Sequence, residues 1–218
     1  MLTTIFYSLF ALDQTLAGLA AQYGHWFYLI LFVIIFAETG LVVFPFLPGD
    51  SILFIAGTMV ATADLNIHLL AALLIVAAIL GDTVNYSIGH YIGPRAFDKP
   101  DSRWFKQEHL RRTQAFYDRF GGVTIIIGRF VPIIRTFAPF LAGVAGMSYR
   151  RFLCFNVIGG VGWIASLTYA GYLFGNIPWV KENLTLIVVA IVVVSLIPAV
   201  TTFLQERRER RQTGDKAG

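Results

Sequence analysis

No lysine or arginine occurs before Arg95, and all seventeen basic residues lie from there onward. Charge of either sign is scarce: 14% of residues are charged, against about 25% in an average soluble domain. With 56% hydrophobic residues and a mean hydropathy of +0.68, a water-soluble fold of this length would expose far too much apolar surface. The single Cys154 excludes an intrachain disulfide framework. His25, His68, His90 and His109 are dispersed, and no His/Cys group has metal-ligand spacing, so neither a metal nor another cofactor is expected. The apolar N-terminus lacks the basic n-region of a secretory signal and is expected to stay on the protein. Its apolar spacing suits an amphipathic interfacial helix over residues 1–22.

What the sequence has in abundance is long uncharged runs. Residues 152–180 and 183–205 carry no charge at all, and about 20 helical residues cross the hydrocarbon layer. Three ordinary spans are predicted, at about 65–92, 152–179 and 184–204. Basic residues flank these runs instead of lining one soluble face, which argues against nucleic-acid binding and makes the pattern a topology signal. The basic tail, 205–218, is therefore expected in the cytoplasm. The loop 94–119, with seven basic residues, falls on the same side. Within that loop, Trp104, Phe105, Leu110, Phe116 and Tyr117 mixed with basic residues read as a second helix lying on anionic lipid.

Two apolar segments do not fit single crossings. Residues 120–147 have basic residues at both ends and contain Arg129, Pro132, Arg135, Pro139 and Gly143, a poor composition for one continuous helix. A re-entrant hairpin dipping in from the cytoplasm satisfies both ends, provided protein or a wet cavity covers the broken backbone. Residues 26–63 hold Glu38, Pro45, Pro48, Gly49 and Asp50, and the Pro-Gly turn should reverse the chain. A second hairpin from the opposite side fits, with a plain pair of crossing helices as the alternative. Two interrupted segments in matching halves are the pattern of an inverted-repeat transporter site.

An Asp or Arg at the centre of a membrane helix costs about 2.5–3.5 kcal/mol on insertion scales. If the hairpin tips meet, Glu38 and Asp50 face Arg129 and Arg135. One reading is a structural salt bridge between hairpins. The other is a site where arginines, with their planar fork of donors, hold a phosphate or carboxylate. In that reading the carboxyls exchange protons, since a desolvated acid can titrate near neutral pH. Asp50 has a further role open to it, as N-cap of the returning helix. Asp82 and Asn85, with Tyr86 beside them, line the same cavity or bond across helices. Gly89-x-x-x-Gly93 and Gly171-x-x-x-Gly175 read as close-packing motifs. Trp26, Trp163 and Trp179 read as interface anchors or packing residues.

Four stretches in order, FAETGLVVFPFLPGDSILFIAG, GDTVNYSIGHYIG, GRFVPIIRTFAPFLAGVAGMSYRRF and FNVIGGVGW, closely resemble the bacterial DedA family of inner-membrane proteins, over about residues 23–175. The resemblance implies recycling of the lipid carrier undecaprenyl phosphate, with proton dependence and a kinship to eukaryotic lipid scramblases. The acids and arginines that the family needs match Glu38, Asp50, Arg129 and Arg135.

The expectation is an all-α, multi-pass protein of the bacterial inner membrane, with its C-terminus cytoplasmic. It would have two opposed re-entrant hairpins (about 26–63 and 120–147), three spans and interfacial helices, residues 23–180 forming the membrane domain. Arg129 and Arg135 bind substrate and Glu38 and Asp50 couple protons. Pro45, Pro48, Gly49, Pro132, Pro139 and Gly143 make the hairpin turns. The partners are membrane lipid, a polyprenyl phosphate and protons; the oligomeric state stays open, a homodimer included. Rival readings are a proton-coupled small-ion or drug transporter, a lipid scramblase and a non-catalytic scaffold. A lipid phosphatase or transferase needs a nucleophile and an acid/base, commonly His, and no matching His-plus-Arg constellation occurs, so an enzyme is not expected.

Overall fold

The computed structural model describes residues 25–41, 49–62, 65–97, 117, 120–175, 177–183, 186–187 and 189–191. The expected N-terminal helix, Pro45 and Pro48, nearly all of the basic loop, the basic tail and most of the third span lie outside these residues. Among the described residues the structure is helical and contains no strand. In chain order they form α1 (His25–Gly40), α2 (Gly49–Thr62), α3 (Ile67–Phe97), α4 (Val123–Gly128), α5 (Pro132–Val144), α6 (Tyr149–Phe174) and α7 (Pro178–Glu182). Two of them, Ile67–Gly93 within α3 and α6, are long and apolar enough to cross a membrane.

Local chemistry sets the boundaries. Asn66 caps α3: its Oδ1 accepts from the backbone N–H of His68 at 2.9 Å and of Leu69 at 3.1 Å. Between α4 and α5 the chain tightens through Phe130 N–H to Ile127 O (3.1 Å) and Val131 N–H to Gly128 O (3.0 Å). Pro132 then opens α5 at its first turn behind an extended Val131, because a proline has no N–H to give and pushes its predecessor out of the helical region. The break in 120–147 therefore sits at residues 129–131. Pro139 and Gly143, expected at the turn, lie inside α5. There Pro139 leaves the Arg135 carbonyl without its usual intrahelical donor, and Gly143 serves packing.

The reversal from α5 to α6 uses Gly146 at φ +72°. Met147 N–H bonds Ala142 O (3.1 Å) and Gly146 N–H bonds Gly143 O (3.0 Å), the pairing of a Schellman stop, which favours glycine at that position. The second span ends earlier than expected: α6 stops at Phe174, and Trp179 belongs to the separate α7, which starts at Pro178.

α3 and α6 lean on each other, and α1, α2, α4 and α5 are shared between them. α1 and α5 pack on α3, while α2 and α4 pack on α6. Exchanging α1, α2, α3 for α4, α5, α6 reproduces these packings on the two long helices. The closest backbone approaches obey this exchange too. A Cβ on Gly171 would overlap the Phe54 carbonyl, and one on Gly89 the Phe140 carbonyl; Gly175 lies against Thr58 as Gly93 lies against Val144. Phe54 and Thr58 precede Phe140 and Val144 by the same separation along the chain. The two Gly-x-x-x-Gly motifs are thus equivalent seats for the second arm of each helix pair.

Charged and polar side chains are buried within the apolar core, while large apolar side chains are exposed. Glu38, Asp82, Asn85, Arg129, Arg135, Asn156 and Thr168 are buried, while Leu69, Val76, Leu80 and Ile88 of α3 and Ile158 and Leu173 of α6 are exposed. Lipid is the solvent that matches such an exterior.

Close backbone seating makes Gly143 sensitive, since a side chain there meets the Tyr86 carbonyl and the His90 nitrogen. Gly143→Val should cost about 1–3 kcal/mol through overpacking. It should lower the apparent melting temperature of the purified protein in detergent. Gly162→Ala, whose Cβ would meet nothing within 4 Å, should leave it unchanged.

Candidate functional site

Five buried or nearly buried charged side chains converge between the helices, in two adjoining cells that share Trp163. In the first, Arg135 from the opening turn of α5 pairs with Glu38 near the end of α1 through Nη2. Its Nη1 donates to Asp50 Oδ1 at 2.7 Å. Asp50 lies within the first turn of α2, not before it, where a carboxylate also favours the helix N-terminus. Trp163 of α6 completes this cell. Its indole N–H donates to Asp50 Oδ1 at 2.8 Å, and the Arg135 guanidinium carbon lies 4.5 Å from its ring centroid, a cation–π distance.

The second cell is built around Arg129, which ends α4. Its Nη2 serves both the Asp82 carboxylate of α3 and the Asn156 Oδ1 of α6. Asn156 in turn donates through Nδ2 to the Ile79 carbonyl at 3.2 Å. Arg129 is 2% exposed, and two glycines of α6 make the room for it. A Cβ on Gly159 would come within 3.1 Å of the Arg129 Cδ, and one on Gly160 within 3.7 Å of its Nη2. The Arg129 guanidinium carbon is 5.8 Å from the Trp163 ring centroid, so this tryptophan lies beside both arginines.

Asn85 ties the elements that carry the first cell. Its Nδ2 donates to the Thr136 carbonyl of α5 at 2.7 Å and lies 3.3 Å from the Thr39 carbonyl of α1. These carbonyls belong to the residues directly after Arg135 and Glu38. Gly49 is required for close approach: a Cβ there would overlap the Glu38 carboxylate. That gives the glycine of the Pro-Gly-Asp stretch a task beyond turning the chain.

Of the four charges singled out from sequence, Glu38, Arg129 and Arg135 are buried between helices and Asp50 is nearly so, but their pairing differs from the expectation. Both acids of the first segment go to Arg135, and Arg129 takes Asp82 instead. Asp82 joins a charge cell directly, and Asn85 bonds across helices. Tyr86 belongs to neither cell; its hydroxyl donates to the Met147 carbonyl and its ring stacks on Phe152 at 4.4 Å. Trp163 is 1% exposed and is not an interface anchor, whereas Trp26 and Trp179 are each 60% exposed. Asn156 and Trp163 were missed as site residues. Their signal was present as two polar-capable side chains on one helical face, at i and i+7, with Gly160 between them in an otherwise apolar run.

Several polar atoms of the cells have no hydrogen-bond partner among the described residues: Nε and Nη1 of Arg129, Nε of Arg135 and Oδ1 of Asp82. Buried polar groups are seldom left this way in a purely structural network. The arrangement can offer guanidinium donors to an anion and carboxylate oxygens to a proton or cation.

Comparison with known proteins agrees with the resemblance read from the motifs. The VTT domain family matches residues 16–173. Protein DedA of Escherichia coli (strain K12) is 53% identical over 199 residues, covering 90% of this chain and 91% of that protein. The uncharacterized membrane protein Rv0364 of Mycobacterium tuberculosis is 46% identical over 183 residues, covering 83% and 80% of the two chains. Inner membrane protein YghB of Escherichia coli (strain K12) is 35% identical over 159 residues, covering 72% and 71%. No solved structure matches the chain. An all-helical molecule with buried charge, an apolar exterior and this extent of similarity is a membrane protein, and the chain belongs to the VTT-domain (DedA) family.

Proposed function

We propose that this protein is a bacterial inner-membrane transporter that moves a polyprenyl phosphate, specifically undecaprenyl phosphate, between leaflets with protons as the coupled ion. The observation that carries the reading is the pair of fully buried arginines with unpartnered donors, set inside a scaffold whose outer surface is apolar. A phosphate headgroup needs desolvated guanidinium donors, and its polyprenyl tail needs lipid-facing apolar surface. Three carboxylates face two guanidiniums. When all are ionised, the set carries one negative charge in excess, and one proton on Glu38 or Asp50 balances it.

The helix lengths support opposed re-entrant hairpins. At 16, 14 and 13 residues, α1, α2 and α5 reach about 24, 21 and 20 Å, short of the roughly 30 Å hydrocarbon layer. In this reading the α1–α2 arms enter from outside and the α4–α5 arms from the cytoplasm, with the basic tail cytoplasmic. A proton-coupled exporter of small ions or drugs is favoured over lipid transport only by the surplus carboxylate. A lipid scramblase would move zwitterionic lipid equally well.

Reconstituted proteoliposomes loaded with a short-chain polyprenyl phosphate test the reading. The native protein should translocate it in preference to phosphatidylcholine. Glu38→Gln, Asp50→Asn, Arg129→Gln and Arg135→Gln should each reduce the rate at least about tenfold, as loss of a buried charge partner is worth about 2–5 kcal/mol. Equal rates for the two lipids, or undiminished rates in all four variants, would rule the proposal out.

The observed pairing also selects the charge swap that separates structure from chemistry. Glu38→Arg with Arg135→Glu should recover part of the thermal stability lost by either single change, because it restores this ion pair while leaving Asp50 beside a like charge. It should remain inactive in transport. Full recovery of transport would make the pair a structural brace.

A further inference from the structure

The two cells are unequal in a way that assigns them different ligands. Around Arg135 sit two carboxylates, Glu38 and Asp50, and the indole N–H of Trp163 is spent on Asp50. That cell carries one negative charge in excess, and both terminal nitrogens of its guanidinium are engaged. Around Arg129 sit one carboxylate, Asp82, and a neutral amide, Asn156, both served by the same Nη2. That cell is neutral, and the remaining two guanidinium nitrogens, Nε and Nη1, have no partner although the side chain is buried. An anion approaching the first cell meets net repulsion at short range in a medium of low dielectric; at the second the nearest charges balance, and the repulsion is weaker.

Placement points the same way. Arg129 lies at the break between α4 and α5, one residue from Phe130, which is 52% exposed. Ile127, Ile134 and Phe137 beside it are exposed as well. An apolar chain can lie along this turn while a headgroup attached to it reaches Arg129. Gly159 and Gly160 face the guanidinium with backbone alone, between the Asn156 and Trp163 side chains of the same helix.

Building on the transport reading, we propose that Arg129 is the seat of the phosphate monoester group and that the incoming anion takes this guanidinium over from Asp82, its resident counter-ion, which takes up a proton as it is displaced. The Arg135 cell then holds the compensating cation charge and not the headgroup. Asp82 becomes a competitive latch: it neutralises Arg129 while no anion is bound and must give way when one arrives.

Binding of radiolabelled farnesyl phosphate to the purified full-length protein in detergent tests this, with inorganic phosphate and farnesol as competitors. Arg129→Lys, which loses the multi-donor guanidinium, should weaken binding at least about tenfold more than Arg135→Lys does. Asp82→Asn, which removes the competitor while keeping its shape, should tighten binding about tenfold. If Asp82→Asn is not monodisperse on gel filtration, the comparison of the two lysine variants decides. Competition by inorganic phosphate would show that the phosphate group alone is recognised. Its failure with competition by neither control would show that phosphate and tail are needed together; both results support the seat. Competition by farnesol alone would overturn it, as would Arg135→Lys weakening binding as much as Arg129→Lys, or a folded Asp82→Asn binding more weakly. These last results leave the transport reading intact, whereas a native protein that binds neither farnesyl phosphate nor inorganic phosphate would undo both.

Discussion

A guanidinium cannot shed its charge, so two arginines buried among apolar helices oblige the rest of the molecule to supply carboxylates within reach. Everything near the centre of the structure follows from that obligation. The acids come from three different helices, α1, α2 and α3, and the arginines from the far segment, at the end of α4 and the start of α5. No pair lies within one helix, so each ion pair is also a tie between elements distant in sequence. Trp163 and Asn156 of α6 fill the remaining positions, and α6 thereby becomes common to both cells. Removing one partner would strand the other in a medium that solvates it poorly.

The backbone packing provides the precision this needs. Helices whose exteriors face lipid gain little from the hydrophobic effect between them, and they associate through close van der Waals contact at small residues. Gly57, Gly89, Gly143 and Gly171 each lie against the backbone of a facing helix. The short arms are held at fixed depth by these contacts, and the charged residues at their ends are aligned as a result. The same geometry appears twice, once per half of the chain, with acids on one set of arms and arginines on the other. The packing scheme is repeated while the polar residues carried by the arms differ.

Much of this was legible in the sequence, and the misses share a cause. Membrane insertion, the two interrupted segments, the first long span and the glycine motifs rest on composition and spacing, which are local properties. The selection of Glu38, Asp50, Arg129 and Arg135 rests on the expense of charge in an apolar run, which is local as well. Pairing is not local. Which acid meets which arginine depends on how α3 and α6 cross, and so Asp82, weighed as a cavity residue or an interhelix bond, is the direct partner of Arg129. Trp163 reads as an interface anchor or a packing residue, and only burial beside two guanidiniums reveals its other task. Pro139 misleads for a related reason: a proline is tolerated inside a lipid-facing helix when neighbouring elements support the freed carbonyl, so it marks no turn here.

The central claim is that the buried charges form two distinct cells with fixed partners. Double-mutant cycles on thermal stability in detergent address it most directly, using Glu38→Gln with Arg135→Gln and, separately, Glu38→Gln with Arg129→Gln. The account predicts a coupling of at least about 1 kcal/mol for Glu38 with Arg135 and below about 0.5 kcal/mol for Glu38 with Arg129. Equal couplings for the two arginines, or a larger one for Arg129, would contradict it.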